Sequence, residues 1–152
     1  MQRFTLLILL IMTTSALQAQ RPEPVKWSFS TLPGEEGAYE LVLTAEVEPG
    51  WYLYSQHLES DMGPIPTSFH FDEQEGLTLE GETAETGKKT EGYDPLFDMN
   101  IAKFAGEVRF TQNIRTDAQV EKVTGYLEFM TCNDEVCLPP REVEFSILLK
   151  GE

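Results

Sequence analysis

Cys132 and Cys137 are the two cysteines of the chain, with four residues between them in the segment FMTCNDEVCLPP (residues 129–140). Thiols this close can form a local staple, contribute to a metal site, or cycle between disulfide and dithiol as a redox couple. The intervening NDEV reads as the tip of a hairpin, whose ends can approach to the roughly 4.4–6.8 Å between Cα atoms that a disulfide requires. As a staple the bond is poorly placed, since chain entropy assigns about 2 kcal/mol to so short a loop and nearly 5 to one of about 100 residues. Spacing therefore leans towards redox use and leaves a small structural disulfide open. A metal site would need two more ligands. His57 and His70 fall on separate strand-like segments without paired spacing, so each reads as a surface or satisfied side chain. No serine lies in a nucleophile-elbow motif, which leaves a hydrolytic triad without support.

The segments around the cysteines are those of strands. Tyr39, Leu41, Leu43, Ala45 and Val47 alternate with mostly polar residues, the signature of a half-buried strand. EPG (residues 48–50) then turns the chain into WYLYSQHL, MGPIP leads to TSFHF, and LTLEGET follows. VKWSFSTL, EVRFTQNI, KVTGYLEFMTC and EVEFSILL complete the pattern, and no segment shows a sustained helical period with caps. About eight short strands divided by Gly, Pro and acidic turns predict an all-β fold, an immunoglobulin-like sandwich of two antiparallel sheets. The Cys…Trp…Cys spacing of antibody domains is absent. Two stretches break the pattern. EGETAETGKKTEG (residues 80–92) reads as a solvated turn or wide hairpin, and YDPLFDMNIAKF (residues 93–104) as an apolar loop that must cover something, its own core or a site.

The first residues set the expected compartment. MQRFTLLILLIMTTSALQAQ carries a basic start at Arg3, an apolar run from Phe4 to Met12 and a small-residue cut after Ala19, with Leu17 larger than usual three residues before it. This is the pattern of an export signal, residues 1–19, and the run is shorter than the ~20 residues that span a bilayer. Residues 20–152 are then one exported domain without a membrane span, in an oxidising space such as a periplasm. The formal net charge of −15 argues against nucleic acid and anionic membrane surfaces as partners. Some of that excess serves solubility, so it does not by itself specify a basic partner.

PGWYLYSQHL followed some way on by YLEFMTCNDEVCLPP resembles the N-terminal periplasmic domain of the thiol-disulfide interchange protein DsbD and the related disulfide bond corrector domains. The similarity runs from about Val25 to Leu149, and the cysteine hairpin with its trailing Pro-Pro is its most distinctive part. The resemblance implies an immunoglobulin-like fold and an electron relay, taking electrons from a thioredoxin-like donor and passing them to other periplasmic redox proteins. It matches Cys137 to the cysteine that forms mixed disulfides with partners and Cys132 to the one that resolves them. Tyr52 and Tyr54 match two aromatics beside the cysteines and Phe97 the phenylalanine of a cap loop that shields the pair, whereas the cap-loop acids do not line up cleanly with the family pattern, Asp94 and Asp98 both being candidates. Two departures stand out: one residue fewer separates these cysteines than in well-known members, and the chain ends at Glu152 without a membrane carrier or a thioredoxin-like domain. A donor met in trans is the expectation.

The implied chemistry is thiol-disulfide exchange without a cofactor. Asp134 and Glu135 lie between the thiols, and their charge should raise thiol pKa values, which suits a relay governed by docking and loop opening. The alternative is a non-enzymatic immunoglobulin-like binding module whose hairpin disulfide is structural.

Overall fold

Nine strands and no helix make up the described residues, 22–149 without 61 and 118, in a computed structural model of the chain. The expected export signal, residues 1–19, lies outside them. The strands are β1 (Val25–Pro33), β2 (Ala38–Val47), β3 (Tyr52–Tyr54), β4 (Ser68–Phe71), β5 (Leu77–Asp94), β6 (Met99–Thr116), β7 (Lys122–Phe129), β8 (Thr131–Cys132) and β9 (Arg141–Leu148). One sheet has the order β1-β2-β6-β3-β8 with β5 also paired to β6, and the other has the order β4-β7-β9. Every pairing is antiparallel, giving the two-sheet sandwich expected from the strand pattern, with nine strands in place of about eight.

Alternation decides what enters the space between the sheets. Leu41, Leu43, Ala45 and Val47 of β2, Val108, Phe110 and Ile114 of β6, and Val123, Leu127 and Phe129 of β7 form one buried core. Trp27 of β1 joins it, with its ring 5.8 Å from Phe110 and 5.6 Å from Phe129. Each of the larger side chains contributes about 1.5–3 kcal/mol when fully buried, so together they outweigh the roughly 2 kcal/mol of a short disulfide loop. Gly125 of β7 permits a close approach of its neighbours within the smaller sheet: a methyl group there would lie 2.8 Å from Phe145 Cζ and closer still to the His70 carbonyl oxygen.

The two stretches expected as turn and loop are strands. Residues 80–92 belong to β5, which ladders with β6 across register shifts at Glu80/Ala84 and Gly87/Lys88. Most side chains of β5 are exposed on both faces, so no hydrophobic period marks it. Residues 99–104 of the apolar stretch belong to β6, and only residues 95–98 turn between the two long strands. The stretch expected as a covering loop is thus the tip of a hairpin with 18-residue arms.

Candidate functional site

The side chains of β3 divide between two environments: Leu53 enters the main core, while Tyr52 and Tyr54 face the opposite way. β6 divides in the same manner, Phe104 lying in the core and Met99 and Ile101 on the other face. These outward faces form a second apolar cluster, with Tyr54, Ile101 and Cys132 buried in it and Tyr52, Leu58, Phe97, Met99, Met130 and Cys137 packed around them. Register sets the neighbours. Cys132 of β8 pairs with Tyr52, and Tyr54 pairs with Lys103. The chain reaches this point by leaving the smaller sheet after Phe129 and entering the larger one at Thr131. Thr131 Oγ1 donates to the Tyr52 carbonyl at 2.8 Å, and Thr67 Oγ1 donates to that of Tyr54 at 2.6 Å.

Cys132 and Cys137 are joined as a disulfide with Cα atoms 4.1 Å apart, slightly closer than the common range. Asn133 shapes the tip between them: its Oδ1 accepts from the amides of Glu135 at 2.9 Å and Val136 at 2.8 Å. The Leu138 amide donates to the Thr131 carbonyl at 3.0 Å, and Tyr52 Oη donates to the Asn133 carbonyl at 3.0 Å, tying the hairpin to β3. The two sulfurs are not equivalent. Cys132 is fully buried, whereas Cys137 is partly exposed and lines a cleft of about 430 Å³. Asp94, Leu96, Lys103, Asp134 and Val136 line the same cleft.

The tip of the β5–β6 hairpin closes over this site. Phe97 is half-buried and packs edge-on against Tyr54, which packs edge-on against Tyr52 with ring centroids 5.8 Å apart. Phe97, Met99 and Ile101 recur at every second position and all reach the cluster, an alternation that Pro95 and the exposed Leu96 conceal in the sequence. The two candidate acids part company here. Asp94 lies on the cleft wall, accepts from the Leu96 amide at 2.9 Å and faces Lys103, while Asp98, in left-handed backbone at φ 53°, accepts from the hydroxyl of exposed Tyr93.

Burial, followed by the charges of Asp94 and Asp134, raises the pKa of Tyr52 above its ordinary value. Burial pushes Tyr54 well above the tyrosine range, and its hydroxyl has no hydrogen-bond partner of good geometry although the Tyr52 hydroxyl interacts with it. His57 and His70 are both exposed and distant in role, His70 stacking on Tyr126 at 4.5 Å. Sequence reasoning passed over Lys103, whose Nζ stands 3.8 Å above the Tyr52 ring. Its signal was available: a cation at the next alternate position after Phe97, Met99 and Ile101 ends an apolar stripe with a charge.

A buried sulfur is thus bonded to a more accessible one, beside two tyrosines and a hairpin tip. The family profile described as "Thiol:disulfide interchange protein DsbD, N-terminal" matches residues 17–149. The chain belongs to this family. Among solved structures it is similar to the Neisseria meningitidis DsbD N-terminal domain in the reduced form, at 21% identity, a TM-score of 0.53, and coverage of 79% of this chain and 91% of that one. It is also similar to the N-terminal periplasmic domain of ScsB from Proteus mirabilis, at 13% identity and a TM-score of 0.60, covering 84% of this chain and 47% of that one. Both likenesses are of fold, the immunoglobulin-like sandwich. No curated protein matches the chain. As a DsbD N-terminal family member with a disulfide-bonded cysteine pair, the chain is a thiol-disulfide relay domain, and its partners are thiol-disulfide redox proteins. Among the described residues no helix is long and apolar enough to cross a membrane.

Proposed function

We propose that this domain is exported through residues 1–19, forms a single unit over residues 20–152, and works in the periplasm. There it takes electrons from a thioredoxin-like donor in trans and hands them to periplasmic thiol-disulfide proteins. The observation that carries the reading is the asymmetry of the pair: Cys137 lines the cleft, from which an incoming thiolate can reach it, whereas Cys132 is fully buried in the cluster with Tyr54 and Ile101. The periplasmic origin of the similar ScsB domain supports the compartment.

The donor's thiolate attacks Cys137 Sγ and breaks the Cys132–Cys137 bond, whose electron pair passes to Cys132; that sulfur takes a proton. The donor's second thiol then displaces Cys137 from the mixed disulfide, leaving the domain as a dithiol and the donor as a disulfide. The same steps in reverse reduce an acceptor. Phe97 shields the pair from stray thiols until docking lifts the hairpin tip, and Tyr52, Tyr54 and Asp94 hold the walls of the site.

One Cys pair stores two electrons, so the prereduced protein mixed with excess oxidised acceptor should stop after about one equivalent of disulfide reduced. Adding a reduced thioredoxin-like donor should restart it. A disulfide that yields only after denaturation would instead identify an inert hairpin bond in a binding module.

A further inference from the structure

The cleft that exposes Cys137 is walled by carboxylates: Asp94 at the end of β5, and Asp134 and Glu135 in the cysteine hairpin. Release of the reduced domain from its donor and its attack on an acceptor each nevertheless place negative charge on Cys137 in that cleft, because the thiolate and not the thiol is the nucleophile and leaving group. Among the described residues that line it, Lys103 carries the one positive charge. We propose that Lys103 is the counter-cation of the Cys137 thiolate, a residue of the exchange reaction itself. The inference rests on the relay reading above and adds to it the group that makes Cys137 reactive.

Three features of Lys103 suit it to that role. It belongs to β6 and pairs through the backbone with Tyr54, so its base is held by the larger sheet. Its ammonium lies 3.8 Å from the Tyr52 ring centroid, on the side chain whose neighbour in register is Cys132. Its other contact is loose, 3.8 Å to Asp94 Oδ2, so Nζ can shift towards a sulfur that acquires charge without breaking a tight ion pair. The remaining groups around the cleft do not compete for it. Tyr93 donates to Asp98, and Glu91, beside Lys103 on the neighbouring strand, is taken by Lys89 at 2.9 Å. Tyr52 is neutral and donates to the Asn133 carbonyl. Asp94, Asp134 and Glu135 remain as the charges that oppose the thiolate.

During reduction the donor's second thiol forms the donor disulfide, and the electron pair of the broken mixed bond goes to Cys137 Sγ. Lys103 stabilises that sulfur as it leaves. In the onward step the same thiolate attacks an acceptor disulfide, and Lys103 keeps it deprotonated until contact. No proton passes through the ammonium.

The test uses the full exported chain carrying Cys132→Ser, which leaves Cys137 as its one thiol, and follows the rate of alkylation against pH. Lys103→Met and Lys103→Gln should each move the midpoint upwards by about one unit, slowing alkylation roughly tenfold below it, because a nearby cation favours the charged sulfur. Lys103→Arg should restore the parent profile. A merely structural lysine would lower the melting temperature and leave the midpoint in place. Either neutral variant that folds and superimposes on the parent profile overturns the proposal. Alkylation needs no partner protein, so failure of the parent to exchange with a thioredoxin-like donor would count against the relay reading alone.

Discussion

Phe97 and Tyr54 meet edge to face, with ring centroids 6.3 Å apart and planes at 85°. Through this contact the tip of the longest hairpin is latched to β3, the strand that carries Cys132 as its ladder neighbour. An aromatic pair of this geometry contributes about 0.5–1.5 kcal/mol beyond its buried area, small enough for a docking protein to displace.

Replacing Phe97 by Ala should therefore open the latch without dissolving the fold. Phe97 is half-buried outside the main core, so the expected loss is about 1–2 kcal/mol, below the roughly 3–5 of a core phenylalanine. Reduction by small-molecule thiols should accelerate several-fold in a timed alkylation assay. A large loss of stability with an unchanged reduction rate would make Phe97 an ordinary packing residue.

The unequal burial of the cysteines predicts unequal variants. Cys132→Ser should accumulate a mixed disulfide with a thioredoxin-like donor, since the accessible Cys137 remains and the resolving thiol is gone. Cys137→Ser should form none. Each should lower stability by about 2 kcal/mol, as expected for a short loop. Equal trapping on a non-reducing gel would remove the division of labour.

Alkaline pH should weaken the domain through Tyr54 and Tyr52. Both pKa values are raised from 10.0, chiefly by burial, so the folded state favours the neutral phenols. That stability is fully present below pH 10.0, where the unfolded chain also holds its protons, and is lost as pH rises towards the folded-state values. Tyr54→Phe, which removes a hydroxyl with no good hydrogen bond, should flatten the decline in denaturant titrations at several pH values. An identical alkaline decline in the variant would assign the effect elsewhere.

Gly125→Ala should destabilise by roughly 1–3 kcal/mol, because the methyl group must displace the Phe145 ring or the strand carrying His70. The denaturation midpoint should fall while the disulfide stays resistant to small thiols. A neutral substitution would mean that β4 and β7 separate more easily than their packing suggests.

Period-two patterning made most strands legible, since β2, β7 and β9 each present one face to a core and the other to solvent. Beyond LTLEGET, β5 escaped because a strand laddered only to β6 and exposed on both faces has no reason to alternate. The site was legible in a different way. The spacing of Cys132 and Cys137 allowed a bonded hairpin and leaned only slightly towards redox use over a structural staple, and the roles of Tyr52, Tyr54 and Phe97 came from resemblance, because nothing local links residues so far apart in the chain.

By itself the sequence determined an all-β sandwich, a cysteine hairpin and an acidic surface, all properties of local spacing and composition. Only the tertiary structure decided which sulfur faces the cleft, that Asp94 and not Asp98 lines it, and that Lys103 stands over Tyr52. The reason is that β3, β6 and β8 come from distant parts of the chain. Their outward faces become neighbours only once long-range register is set, and no periodicity within one segment encodes the partner it will meet.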